Sequence, residues 1–222
     1  TTVDADAAEA DIILAPDGSV GIGTAGPSNK LHVLETGSGT TALFENTDAN
    51  DSAGISIKND AREWVLQVRG DDSDKFRIWD NTANAQRLTI DSSGNVGIGT
   101  AAPSALLTLE SSTASKPEFR IENTNADGNA PRMYFVKDSA SPLATDDLGI
   151  IRFYGDNASN AETNFADIVG TASDVTAGAE IASLRFRVNS AGTITDRMVI
   201  KGANVGIGTD SPEKSLHVLD ST

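Results

Sequence analysis

The sequence predicts an all-β protein, built as an elongated array of small β-rich modules. Three observations predict it. Apolar and polar residues alternate with period two in Ile55-Ser56-Ile57, Trp64-Val65-Leu66-Gln67-Val68, Phe76-Arg77-Ile78, Arg132-Met133-Tyr134-Phe135-Val136 and Leu184-Arg185-Phe186-Arg187-Val188. Clusters of Asn, Asp, Gly and Ser separate these runs, including Asp127-Gly128 and Ser190-Ala191-Gly192, as hairpin connections require. One phrase occurs three times: Val20, Gly21, Ile22, Gly23, Thr24; then Val96, Gly97, Ile98, Gly99, Thr100; then Val205, Gly206, Ile207, Gly208, Thr209. Recurrence of that kind marks an array of modules joined by a standard connector.

Taken in order, the chain opens with Asp4–Asp11, the only stretch of helical composition, and it is short. An apolar strand precedes each copy of the phrase: Ile12-Ile13-Leu14, Leu88-Thr89-Ile90 and Met198-Val199-Ile200. A Pro stands three residues past each Thr, at Pro27, Pro103 and Pro212. Four residues later a second strand begins: Leu31-His32-Val33, Leu107-Thr108-Leu109 and Leu216-His217-Val218. Within Val-Gly-Ile-Gly-Thr, period two puts Val, Ile and Thr on one face and both glycines on the other. Glycine inside a strand weakens it unless another backbone approaches closely or the chain bends. The Pro fixes the exit and cannot donate to a ladder. The connector therefore reads as a packed crossover between modules.

The intervals between copies, 76 and 109 positions, align in pieces. Leu43-Phe44-Glu45-Asn46-Thr47-Asp48-Ala49 matches Arg120-Ile121-Glu122-Asn123-Thr124-Asn125-Ala126, and Lys75-Phe76-Arg77-Ile78 matches Arg185-Phe186-Arg187-Val188. The organisation expected is 1–26 as the end of a preceding module with the first connector, 27–102 as one module with the second, and 103–211 as another with the third. Residues 212–222 begin a further element. The 33 extra residues of the longer interval are placed as an outward insertion at about 139–180, with Thr171–Glu180 a long loop.

With 222 residues, 38% hydrophobic and 5% aromatic, each module has little core of its own, so self-association is expected. A net charge of −15 argues against nucleic acid, which needs clustered Lys and Arg, and against anionic membranes. The absence of cysteine removes disulfides and thiol chemistry. No run approaches the roughly 20 apolar residues of a membrane span, so membrane insertion is not expected. Thr rather than Met stands first, which suggests a processed end or a fragment.

No motif points to catalysis or a cofactor. Gly21–Gly26 and Gly97–Ala102 fit the dinucleotide-binding spacing, but Pro27 and Pro103 follow where a helix must open. Arg69-Gly70-Asp71 spells an attachment tripeptide at a strand end where a turn is expected anyway. His32 and His217 hold the same repeat position as Thr108, so that position does not need imidazole. The acidic clusters (Asp4, Asp6, Glu9, Asp11; Asp48, Asp51; Asp71, Asp72, Asp74; Asp146, Asp147) lack regular Ca²⁺-loop spacing, so no metal is assigned. A glycosidase needs two carboxylates across a cleft, and no pair stands out. Phe76 and Ile78 share the expected core face, which turns Trp79 outward as the best candidate for a sugar or partner contact.

The phrase Ile90–Ser104 (Ile-Asp-Ser-Ser-Gly-Asn-Val-Gly-Ile-Gly-Thr-Ala-Ala-Pro-Ser) resembles the connector repeat of tailed-phage fibre and tailspike-type virion proteins. Leu148–Asn157 and Ser190–Met198 are also similar to these proteins, and the likeness touches most of Leu14–Leu219. The resemblance implies a parallel homotrimeric β-rich appendage of the virion, non-enzymatic, with other virion proteins and a host-surface glycan as further partners. Such repeats commonly precede a trimerising chaperone domain that is cleaved off. None is visible here, which leaves a mature product, a fragment and a shorter relative open. The alternatives are a tailspike segment that binds or depolymerises carbohydrate, and a bacterial surface adhesin stalk.

Overall fold

The computed structural model of the chain describes residues 12–14, 18–35, 37 and 42–219. The segment of helical composition and its acidic cluster lie outside them. The described residues form fifteen strands and no α-helix, so the molecule is all-β. They are β1 (Ile12–Leu14), β2 (Val20–Ile22), β3 (Leu31–Val33), β4 (Ser52–Lys58), β5 (Glu63–Arg69), β6 (Lys75–Asp80), β7 (Ala85–Ile90) and β8 (Val96–Ile98). There follow β9 (Leu107–Leu109), β10 (Asp147–Asp156), β11 (Glu162–Asp174), β12 (Ile181–Ser190), β13 (Thr193–Lys201), β14 (Asn204–Ile207) and β15 (Leu216–Val218).

The chain divides into two compact units, 1–120 and 121–222. The first holds a three-stranded sheet, β1-β2-β3, and a six-stranded sheet, β4 to β9 in chain order. The second holds a six-stranded sheet, β10 to β15, also in chain order. Both six-stranded sheets run as antiparallel meanders through five strands and close on a parallel pair, β8 with β9 and β14 with β15. β2 and β3 repeat that parallel pair.

Several expectations need correction. Residues 132–136, expected as a strand, form none and belong to no sheet. Thr171–Glu180 is not a loop throughout, because β11 runs on to Asp174. Small side chains let it continue: Ala172 is buried, and the Thr171 hydroxyl donates to Asp147 Oδ1 at 3.1 Å. The extra length of the second interval is not one outward insertion. Before the six-stranded sheets, 18 residues (34–51) correspond to 37 (110–146). Inside them, 44 positions separate Ser52 from Val96, while 58 separate Asp147 from Val205. The excess thus divides between an unstranded lead-in and longer strands. The strand after each connector also completes the preceding sheet, so the connector is a crossover within one sheet rather than between modules.

Cross-strand pairing assigns the faces, since directly opposed residues share one. In the first six-stranded sheet Ile55↔Leu66↔Ile78↔Leu88↔Ile98 forms an apolar row, and Gln67↔Arg77↔Thr89↔Gly97 lies on the other face. The second sheet repeats the scheme, with Leu184↔Ile200↔Val205↔Leu216 on the apolar face and Asp167↔Arg187 opposite. Three of the four fully buried positions, Thr89, Val169 and Val199, sit on the polar face, whereas Asp80, opposite Trp64 and through it Ile57, lies on the other. Thr89 and Val199, both 0% exposed, are the cross-strand partners of Gly97 and Gly206.

Candidate assembly surface and the repeated connector

Each connector glycine has its own reason. A Cβ on Gly97 would stand 2.7 Å from the Thr100 carbonyl oxygen and 3.5 Å from Pro103 Cδ. On Gly206 it would meet the Thr209 oxygen at 2.5 Å and Pro212 Cβ at 3.4 Å. A Cβ on Gly21 would likewise run into the Thr24 oxygen. The close approach expected at this glycine is made by the chain's own Thr-x-x-Pro loop folding back over it. The second glycine is not on the strand face, which corrects the reading that both share one side. Gly23, Gly99 and Gly208 have φ of +72°, +79° and +73°, where L side chains are strained, and there the strand ends. Gly99 also lies under the Glu110 carbonyl and Gly208 under that of Leu219.

The other connector residues close the loop. Thr24, Thr100 and Thr209 accept through Oγ1 from the N–H two residues on, at 3.2, 3.3 and 3.2 Å. Val20, Val96 and Val205 donate N–H to the carbonyls of Lys30, Leu106 and Ser215 at 2.8–3.0 Å. Ile22, Ile98 and Ile207 accept from the N–H of Leu34, Glu110 and Leu219 at 2.8–3.0 Å. The same frame is built three times. The position shared by His32, Thr108 and His217 supports it. His32 Nδ1 accepts from Ser28 N–H at 3.3 Å, Thr108 Oγ1 from Ser104 N–H at 3.1 Å, and His217 Nδ1 from Glu213 N–H at 3.5 Å. What this position needs is an acceptor four residues past the loop, which imidazole and hydroxyl both supply.

The candidate Trp79 is half-buried and engaged within its own sheet, with the Arg77 guanidinium 4.5 Å from its ring centroid. Arg77 is 5% exposed, and burial pushes it below its ordinary value. With the Gln67 amide oxygen turned toward it, Gln67 accepts from Arg77 Nε and Nη2 at 2.7 Å. In the second sheet the same register holds Asp167 opposite Arg187, joined by two hydrogen bonds of 2.6 and 2.9 Å. Burial presses on Asp167 most and would raise it, but the Arg187 and Asn164 hydrogen bonds leave its carboxyl below the usual range. Asp80, 0% exposed, is held by Arg62, Arg87 and the Ala83 N–H, and the Arg87 hydrogen bond is foremost in lowering it.

The loop motifs are tied down locally. Arg69 and Asp71 of the attachment tripeptide pair with each other, and Asp72 pairs with Lys75 at 2.8 Å. Asp48 accepts from Asn50 N–H, Asp51 from Ser52 N–H, and Asp146 from Lys137. Among the described residues no group of three or more His, Asp or Glu is placed to hold a metal. A cavity of about 350 Å³ opens on the polar face of the second sheet, with Asp147, Thr171, Arg185 and Lys201 in its lining. Arg185 is already paired with Asp196 at 2.9 Å.

What the sequence did not reveal is the surface on the other side. In the first six-stranded sheet Ile55, Ile57, Val68 and Ile98 are 43, 60, 45 and 45% exposed. In the second, Ile151, Phe153, Leu184 and Ile207 are 41, 52, 40 and 43% exposed. Each sheet is one layer with its polar face partly roofed by its connector and its apolar face open. Monomeric proteins rarely leave apolar patches of this kind uncovered. Comparison with known protein families finds no match to the chain, and comparison with curated proteins finds none.

Proposed function

We propose that the chain is a shaft segment of a virion fibre: a non-enzymatic, parallel homotrimer that holds a host-contacting element away from the particle. The observation that carries this reading is the pair of open apolar faces, one on each six-stranded sheet, combined with a connector whose backbone hydrogen bonds and Thr cap recur in all three copies. Folding the connector within one chain makes each module a self-closed tile. Burying the apolar faces of three tiles against one another supplies the core that a single layer lacks. The resemblance of the connector to phage fibre repeats favours three copies and a virion over a bacterial surface stalk. Other virion proteins and a host-surface glycan are the expected further partners. Light-scattering mass in native buffer tests the reading. Three times the 23.1 kDa chain is expected, a dimer would point to sheet-on-sheet sandwiching instead, and a well-folded monomer overturns the proposal.

A further inference from the structure

The polar faces of the two six-stranded sheets follow one scheme and differ in one row. The connector glycines fix the equivalence: Gly97 lies in line with Thr89 and Arg77 in the first sheet, Gly206 with Val199 and Arg185 in the second. Two positions further along, the first sheet sets Arg69 opposite Lys75, and the second sets Thr171 opposite Ser183. In the first sheet these long side chains fill the row, Arg69 on Asp71 and Lys75 on Asp72. In the second, two short hydroxyl side chains, 8 and 2% exposed, stand in their place. The whole row there reads Asp147↔Thr171↔Ser183↔Lys201, three inter-strand spacings or roughly 14 Å long. The cavity of about 350 Å³ opens along this row, with Asp147 and Lys201 both in its lining. The second module thus departs from its repeat where the cavity lies.

The two ends of the row offer opposite chemistry. At one end the Lys201 ammonium has no partner among the described residues. Arg185 lines the same cavity and gives Nη1 to Asp196 at 2.9 Å, which leaves its Nη2 to donate elsewhere. Ammonium and guanidinium are donors only, and their strongest partners are anions. At the other end Asp147 is exposed and accepts from the Thr171 hydroxyl at 3.1 Å. A carboxylate is an acceptor only and takes further hydroxyl donors. A ligand that satisfies both ends carries a carboxylate at one and hydroxyls at the other. The cavity lies at the small end of ligand sites, roughly 300–1,000 Å³. We propose that it binds an acidic saccharide, a pyranose bearing a carboxylate, with the carboxylate on Lys201 and Arg185 and ring hydroxyls on Asp147 and Thr171. No lining residue is aromatic, so the ring is not stacked and one site is weak. Several copies in one assembly offset that weakness through avidity.

This inference rests on the glycan partner named above and gives it a site and a chemical class. Ligand-observed NMR titrations of the full chain test it, with glucuronate, galacturonate and N-acetylneuraminate as probes, methyl glucoside as the neutral control and sulfate as a competitor. At least one acidic sugar should bind saturably, with methyl glucoside at least about tenfold weaker, as loss of a charged hydrogen bond requires. Lys201→Gln should weaken that binding by a similar factor while the circular dichroism melt stays that of wild type. Thr171→Arg, which restores the residue of the first sheet, should abolish it by filling the cavity. If Thr171→Arg fails to fold, Lys201→Gln decides. No saturable binding, equal binding of methyl glucoside, sulfate competing as well as the acidic sugar itself, or a Lys201→Gln variant that binds like wild type would each overturn the site. The two readings fail separately. A trimer that binds no acidic sugar loses this pocket alone, and a monomer that binds one loses the shaft and keeps the pocket.

Discussion

Substituting the connector glycines should unsettle the fold far more than removing loop charges. At Gly97 even a methyl group must displace the Thr100 carbonyl, 2.7 Å from where a Cβ would stand, and Thr100 Cγ2 at 2.9 Å. Those atoms cannot simply rotate away, because Thr100 O accepts from the Thr89 hydroxyl at 2.9 Å and Thr89 is fully buried. Gly99 adds a second difficulty, since at φ +79° an L residue costs about 1–2 kcal/mol. A Cβ there would also drive off the Glu110 carbonyl and strain the Glu110 N–H to Ile98 oxygen bond of 3.0 Å. Overpacking of this kind costs about 1–3 kcal/mol per site. Both substitutions move one loop, so they will not add simply, and the double variant Gly97→Val with Gly99→Val should lose roughly 2–5 kcal/mol. For a unit of this size that lowers Tm by about 10 °C or more. The comparison is Asp71→Asn with Asp72→Asn, an exposed and a half-buried carboxylate whose local ion pairs contribute little, so Tm should stay within about 2 °C. Thermal melts of both variants by circular dichroism decide the matter. A glycine variant that melts like wild type, beside an aspartate variant that collapses, would mean that the loop over Gly97 is not packed and that the acidic turns hold the structure.

Three further outcomes are expected. Thr108→Val keeps the shape but leaves the Ser104 N–H without its acceptor, which should cost about 0.5–1.5 kcal/mol by chemical denaturation, while Thr108→His is tolerated. Trp79→Leu removes the ring over Arg77 and should destabilise the first unit by about 0.5–2 kcal/mol in the same assay. Asp80 and Asp167 both titrate below their ordinary 3.8 when folded, so their contribution is fully present above that value and is lost as pH falls through the lower folded one. Tm should therefore be flat from pH 7 to 5 and drop below about pH 4, and Asp167→Asn, less stable at pH 7, should show a shallower acid decline.

The strands were legible where one face is apolar and the other polar, because a single-layer sheet imposes that alternation directly. Ile55-Ser56-Ile57 and Phe76-Arg77-Ile78 lie in β4 and β6, as their pattern requires. The same rule misled at 132–136: Met133, Tyr134, Phe135 and Val136 are apolar in succession, and the segment pairs with no strand of its own chain. Alternation reports which sides want covering and is silent on whether the cover is a ladder neighbour or a sheet face. The three-fold phrase marked the connector, but period two could not show that only the first glycine sits on a strand. Whether the second takes a positive φ depends on the chain reversing at Thr, a tertiary event. His32 and Thr108 looked unrelated as residue types and became equivalent only once the loop placed an N–H before each.

The distribution of burial constrains how such a chain can be used. In an ordinary two-layer domain the apolar face of a sheet is covered first and polar residues face water. Here three of the four most deeply buried side chains of the six-stranded sheets, Thr89, Val169 and Val199, lie on the face that also carries Arg77, Asp167 and Arg187. The connector supplies part of that cover, and it does so with backbone: a carbonyl over glycine, a hydroxyl on an N–H, a proline at the exit. Such a roof needs no partner and suits a tile that must fold before it assembles. It also spends no large apolar side chain, so those remain on the opposite face, in register from β4 to β9 and again from β10 to β15. A sheet organised this way leaves its apolar surface open, and burial of that surface is the largest stabilisation still available to it.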